Sequence, residues 1–230
     1  MLVDALLVFP STQFELLLAS PDHGMSDEHV FVVDDDADVR DSMRLLLEVA
    51  GFKVRNFTSA RQFLDDPSAK HGCLIADIRM PDMSGLELQE EVALHHLDLP
   101  VIIMTGHGDV PLAVRAMKAG AVDFLEKPFD DERMLASVRR ALEIGSKVRS
   151  RKAEARAAKN LLASLTPRER GVLDKLVQGR SNKVVAYELG ISPRTVEIHR
   201  AHIMGKMDAS SLSDLVRVVL AAEQGNGGHA

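Results

Sequence analysis

The sequence predicts an α/β doubly wound domain followed by a small all-α domain. Three observations carry that prediction. Five short, near-continuous apolar runs alternate with amphipathic segments between His29 and Ile144. Aromatic residues make up only 4% of the chain, which leaves the cores to Leu, Val, Ile, Met and Ala. Four helical segments with short joints follow after residue 164. Strands apolar on both faces belong to a parallel sheet with helices above and below it. Right-handed crossovers then give a doubly wound sandwich, whose ligand sites lie outside the carboxyl ends of the strands.

The elements follow in order. The apolar runs are VFVV (30–33), FKVRNF (52–57), CLIAD (73–77), VIIMT (101–105) and VDFLE (122–126). Helical periodicity appears at 39–50, 60–65, 85–95, 111–119 and 131–144. Residues 145–164, GSKVRSRKAEARAAKNLLAS, are rich in Ala, Lys and Arg. They read as a charged helical connector continuing the helix that begins near 131; the alternative is a flexible linker breaking at Gly145-Ser146. The last helices are expected at 167–178, 182–189, 193–207 and 211–223. Thr166, Pro167 and Glu169 form a capping-box pattern, and Ser192-Pro193 opens another helix. Gly179 and Gly190 stand where helix ends take a left-handed residue. The domains are therefore expected at 25–144 and 165–224, joined by 145–164, with a frayed tail at 225–230.

Residues 1–24 fit neither domain. MLVDALLVFPSTQFELLLAS is partly apolar, but no basic segment precedes it and Pro10 interrupts it, so it reads poorly as a secretory signal. Met25 opens MSDEHVFVVDDD, a natural start for the first domain. The expectation is a non-native start or a dispensable extension, with a short amphipathic appendage as the rival.

The net charge of -6 conceals an asymmetry: 13 Lys+Arg stand against 26 Asp+Glu through residue 145, and 15 against 8 beyond it. An acidic body at -13 and a basic end at +7 suggest a cation or phosphate-donor site in one and a polyanion partner for the other. Cys73 is the only cysteine, which excludes a disulfide framework and multi-cysteine metal sites within the chain and fits a reducing cytoplasm. No apolar stretch reaches the roughly 20 residues of a membrane span.

The chemistry concentrates at strand ends. VFVV runs into Asp34-Asp35-Asp36, CLIA into Asp77, VIIM into Thr105-Gly106, and VDFLE into Lys127-Pro128. In a parallel sheet these ends converge on one edge. Clustered carboxylates repel one another, and a hard divalent cation such as Mg2+ relieves that repulsion through oxygen ligands. A carboxylate beside it is a competent nucleophile for phosphorus, with Lys127 and Thr105 placed to hold phosphoryl oxygens. Each signal alone is ambiguous, since an acidic triplet commonly caps a helix. Four compatible signals at four strand ends are not.

VVDDD, DIRMPDMSG (77–85), TGHGD (105–109) and EKPF (126–129) resemble the flavodoxin-like receiver domains of two-component response regulators along 29–145. The resemblance implies Asp77 as phospho-acceptor. It implies Mg2+ held by Asp35 directly, by Asp34 through water, by Asp77, and by the backbone carbonyl of Arg79. Phe124 corresponds to the aromatic that turns inward when Thr105 moves to the phosphoryl group, and Lys127 precedes a cis Pro128. Arg79 and His107 occupy positions that tune how quickly water reaches the phospho-aspartate. Zinc ligation by His95, His96 or His107 lacks a partnering spacing.

Residues 165–212 resemble the four-helix domain of LuxR-type regulators, with a helix-turn-helix at 182–189, Gly190-Ile191-Ser192 and 193–207. Val184, Val185 and Leu189 are expected to face inward from the first helix, and Val196, Ile203 and Met207 from the second. Arg194, Thr195, Glu197, Ile198, Arg200 and Ala201 then surround the outer face that meets base edges. Thr166, Arg168, Asn182, Lys183, Thr195 and Lys206 are candidate phosphate contacts. Glu197 and Arg200 are candidate base readers, and His199 touches DNA or the neighbouring helix. The rival is a four-helix protein-interaction module with an incidental basic face.

VVDDDADVRDS, TGHGDVPLAVRAMKAGAVDFLEKPF and SPRTVEIHRAHIMGKM are most similar to FixJ-type regulators. The resemblance implies a sensor histidine kinase, promoter DNA, RNA polymerase, and oxygen-responsive or nitrogen-fixation control. It also implies receiver pairing through the face carrying Val114, Lys118, Ala119, Asp123 and Arg139, with the unphosphorylated receiver covering the DNA-binding domain. The only catalysis expected is the receiver's own phosphorylation and dephosphorylation. Two alternatives stay open: a small-molecule phosphotransferase, and a regulator whose DNA binding ignores phosphorylation.

Overall fold

The computed structural model describes residues 28–68, 71–106, 108 and 110–224. The expectations for residues 1–24, Met25, His107 and the tail lie outside these. Strands β1 (His29–Val33), β2 (Lys53–Phe57), β3 (Gly72–Asp77), β4 (Val101–Thr105) and β5 (Asp123–Glu126) pair in one parallel sheet, ordered β2-β1-β3-β4-β5. Helices α1 (Ala37–Val49), α2 (Ala60–Leu64), α3 (Gly85–Leu94), α4 (Val110–Lys118) and α5 (Asp131–Ala163) alternate with them. The strand order reverses beside β1, which lies between β2 and β3, so a crevice opens at the carboxyl ends of β1 and β3.

The two-residue side-chain period of a strand explains why the runs are apolar throughout. Phe31, Val33, Leu74, Ala76, Val101 and Ile103 face one core with Phe63 of α2 and Leu86, Leu88 and Val92 of α3. Val30, Val32, Cys73, Ile75, Ile102 and Met104 face the other, against Met43 and Leu47 of α1 and Met134, Val138 and Ala141 of α5. The few aromatics are concentrated: Phe57 and Phe63 meet edge-on at 5.3 Å between ring centroids, with Phe31 beside them. Each such buried side chain contributes about 1.5–3 kcal/mol. Burial pushes the Cys73 thiol up to about 12, so it is a core residue and no nucleophile at neutral pH.

α5 runs through Gly145-Ser146 without a break for 33 residues, roughly 50 Å at 1.5 Å per residue. The flexible-linker alternative is not what the structure adopts. The first half covers the sheet. Farther on, Ala155 and Ala158 are buried and Leu162 joins the C-terminal core, where α5 packs along α9. Serving two cores in succession, the helix shows no single apolar stripe. Lys152 donates to both carboxylate oxygens of Asp98 at 2.6 and 2.7 Å, and Arg149 pairs with Glu28, which ties the connector to the underside of the receiver-like half.

Helices α6 (Pro167–Val177), α7 (Asn182–Leu189), α8 (Pro193–Lys206) and α9 (Leu212–Gln224) enclose the third core. Thr166 and Glu169 form the expected reciprocal cap, and Gly190 ends α7 at φ 64°, a left-handed turn that glycine adopts without strain. Val185 is buried as expected, but Val184 is 38% exposed. Ala186 takes its inward place, because adjacent helical residues lie 100° apart and 185 and 186 centre the buried face. Val196, Ile203 and Met207 are buried.

Candidate functional site

The fold brings β1, β3, β4 and β5 to one edge, and residues at or just past their ends form a polar pocket in an apolar setting. Asp34 is 1% exposed, Asp77 6% and Thr105 0%. Lys127 reaches across from β5, and its Nζ donates to Asp34 Oδ2 at 2.8 Å and to Asp77 Oδ1 at 2.7 Å. The other oxygens are engaged by backbone: Asp36 N–H donates to Asp34 Oδ1 at 2.9 Å, and Arg79 N–H to Asp77 Oδ2 at 2.6 Å. Lys127 N–H donates to the Thr105 carbonyl at 2.7 Å, so β4 and β5 stay joined up to the pocket.

Electrostatics follow from that crowding. Burial raises the Asp34 pKa above its ordinary value; the Lys127 hydrogen bond and the Asp36 amide offset this only in part. Burial alone would depress the Lys127 ammonium, but its hydrogen bonds to Asp34 and Asp77 outweigh burial and raise it. One ammonium thus serves two buried carboxylates while Asp35 stands exposed beside them. That donor set, hard oxygens with more negative than positive charge, fits a divalent cation such as Mg2+. Among the described residues, Asp34, Asp35 and Asp77 are not drawn around a common centre; Asp34 and Asp77 are drawn to Lys127.

Asp36 serves the helix instead, since its Oδ1 accepts from the N–H groups of Asp38 and Val39 and so caps α1. Phe124 is half-buried against the core shared by α2, α3 and α4. The peptide bond between Lys127 and Pro128 is cis. Gly85 is required by space, since a Cβ there would run into the Asp77 carbonyl. On the expected pairing face, Val114 is 45% exposed, and Lys118, Ala119 and Arg139 are exposed. Asp123 is half-buried and accepts from Ser137 Oγ at 2.6 Å. Sequence reasoning missed Ser137, and it missed Arg40, whose Nη1 donates to the Asp34 carbonyl at 2.7 Å and braces the β1–α1 turn. Arg40 lies one turn into α1, a helical offset that could have marked it. Ser137 carries no such signal, because only the packing of α5 on β5 brings it to Asp123.

The second candidate surface is on the C-terminal helices. Arg194, Glu197, Ile198 and Ala201 are exposed on α8, with Thr195, His199 and Arg200 half-buried. Thr195 N–H donates to Ser192 Oγ at 3.1 Å, which caps α8. Asn182 and Lys183 open α7, and Arg168 is exposed on the first turn of α6. Thr166 and Lys206 converge on one carboxylate: Thr166 Oγ1 donates to Glu169 Oε2 at 3.0 Å and Lys206 Nζ at 2.7 Å. The Lys206 hydrogen bond, then the Thr166 amide, hold the Glu169 carboxyl at about 2, so part of the Lys206 charge is neutralised within the domain. His199 Nδ1 is buried without a hydrogen-bond partner.

Comparison with known proteins separates the same two halves. Residues 30–139 match the response regulator receiver domain and residues 163–219 the luxR family of bacterial regulatory proteins. The chain is 49% identical to the transcriptional regulatory protein FixJ of Bradyrhizobium diazoefficiens over 84% of its length and 95% of that protein's. FixJ of Rhizobium meliloti is 48% identical over 86% and 97%. Among solved structures, the response regulator StyR superposes with a TM-score of 0.77 at 43% identity, covering 85% of this chain and 99% of that one. Full-length FixJ from B. japonicum gives 0.54 at 48% identity, covering 86% and 98%.

Proposed function

The chain belongs to the FixJ-type response regulators, two-component transcriptional regulators that join a receiver to a LuxR-type DNA-binding domain, and from that premise we propose that phosphoryl transfer to Asp77 switches its binding to promoter DNA. The carrying observation is the pocket in which Lys127 bridges two buried carboxylates beside buried Thr105.

In the proposed transfer an Asp77 carboxylate oxygen attacks the phosphorus of a phosphohistidine on the sensor kinase. The new P–O bond forms as the P–N bond breaks, and the histidine ring leaves with its electron pair. Bound Mg2+, held through Asp34, Asp35, Asp77 and the Arg79 carbonyl, would supply positive charge for the phosphoryl oxygens. Lys127, released from Asp77 Oδ1, would pair with one of those oxygens, and the Thr105 hydroxyl would donate to another. Movement of Thr105 and Phe124 would remodel the α4–β5–α5 face. Val114, Lys118, Ala119, Asp123 and Arg139 would then serve an isologous contact between two receivers. Pairing would set two α8 helices on adjacent half-sites and raise affinity through avidity. Glu197 and Arg200 would read bases. Arg194, Ile198 and His199 lie around them, with Thr166, Arg168, Asn182, Lys183, Thr195 and Lys206 at phosphates. The bound dimer would act on RNA polymerase in the cytoplasm, with oxygen-responsive or nitrogen-fixation genes as the first promoters to examine.

The test is the set of genomic fragments retained by the purified protein with and without acetyl phosphate and Mg2+. Retention by phosphorylated wild type and not by Asp77→Asn is expected. Equal retention in all samples would favour a regulator indifferent to phosphorylation, and multiple turnover of a small phosphate ester without any retention would favour the phosphotransferase.

A further inference from the structure

Thr105 pairs with Glu126 in the last register of β4 and β5, and there the two chains part. One passes through Gly106 and Gly108 to α4; the other passes through Lys127 and Pro128 to α5. The side chain of Glu126 closes the gap. Its Oε1 accepts a hydrogen bond from Gly108 N–H at 2.8 Å, across 18 residues of sequence. The two glycines of this loop are not equivalent. A Cβ at Gly106 would meet nothing within 4 Å, whereas one at Gly108 would strike the Glu126 carboxylate. The contact needs an oxygen acceptor at the end of the 126 side chain, and the missing Cβ at 108 lets that side chain lie close over the loop backbone.

We infer that Glu126 is a positioning residue of the switch, a catch that holds the Gly108 amide against the end of β5 when Asp77 is unphosphorylated. Gly108 lies three residues beyond Thr105. A shift of Thr105 towards Asp77 pulls this segment away from β5, and the carboxylate–amide hydrogen bond resists that pull. Because Glu126 borders Lys127 in sequence, the same strand end supplies the pocket's cation and the loop's restraint. The inference rests on reading Thr105 as the moving element, and it adds a residue that sets how far the resting equilibrium lies from the active state. Linkage makes the effect reciprocal: whatever favours the active conformation also favours Asp77 phosphorylation.

The test compares wild type, Glu126→Ala and Glu126→Gln in the full chain. Amide hydrogen exchange over residues 105–110 is measured first, in the Asp77→Asn background so that phosphorylation plays no part. Exchange there is expected to quicken by roughly threefold to tenfold in Glu126→Ala, the scale of one partly exposed charge-assisted hydrogen bond, with Glu126→Gln recovering most of the protection. The rate of Asp77 phosphorylation by acetyl phosphate with Mg2+ is measured next, and it should rise by a similar factor in Glu126→Ala. Unchanged exchange in Glu126→Ala overturns the catch, as does faster exchange without faster phosphorylation. If wild type itself is never phosphorylated, the reading of Asp77 falls, and the exchange data still decide whether Glu126 holds the loop.

Discussion

Replacing Lys127 by Met tests the pocket's charge balance most directly. The substitution keeps an unbranched side chain of similar length and removes one ammonium. Two carboxylates whose side chains are only 2% and 9% exposed then lose the group that contacts both. Breaking a buried ion pair from one side costs about 3–5 kcal/mol, because the remaining charge stays desolvated and unpaired. The lower end applies here: the Lys127 side chain is 23% exposed and Asp34 can take up a proton. A loss of about 3 kcal/mol at neutral pH follows, measurable by urea denaturation of the full chain without divalent cations.

Three linked outcomes sharpen this prediction. The Asp34 pKa is raised in the folded state, so its ionisation weakens the fold as pH rises from the unfolded pKa through the folded one. Without Lys127 that window extends upward, and the variant's deficit should shrink as pH falls towards about 4. The Lys127 pKa is also raised, so its contribution is complete below 10.5 and fades as pH climbs through the folded value. Mg2+ should restore more stability to the variant than it adds to wild type, since among the described residues Lys127 is the only cationic side chain paired with either carboxylate. Equal midpoints for the two proteins, or an equal Mg2+ increment in both, would refute the claim that Asp34 and Asp77 depend on Lys127.

Four further outcomes follow from other contacts. Gly85→Ala should cost about 1–3 kcal/mol and slow phosphorylation by acetyl phosphate, because the new Cβ displaces the Asp77 backbone; both are read on the same preparation. Glu169 is held at about 2 in the folded state, against an ordinary 4.5. Its stabilisation is therefore present above 4.5 and lost as pH falls to about 2; Glu169→Gln should remove that acid sensitivity from amide exchange in α6. On DNA, Lys183→Ala should weaken binding alike for all fragments and lower the salt slope by about 1. Arg200→Ala should cost about 1–3 kcal/mol on preferred fragments only, shown by competition with unrelated DNA.

Much of the fold was legible because its signals are local. Strand period, apolar runs and capping boxes act over a few residues, and the boundaries expected for β3 and α7 fall within one residue of those observed. The strand-end carboxylates were legible for a related reason: a parallel sheet brings all its carboxyl ends to one edge, so position along each strand already gives position in space. The resting partner of each group was not. That Lys127 divides itself between Asp34 and Asp77, that Glu126 holds Gly108, that Ser137 meets Asp123 and that Lys206 turns to Glu169 are contacts between elements distant in sequence. The connector belongs with them. Its composition permitted a helix or a break at Gly145-Ser146, and the unbroken helix joins one core at Ala141 and another at Leu162. Local propensity is too weak to choose between such alternatives; burial against neighbours that only the assembled fold supplies makes the choice.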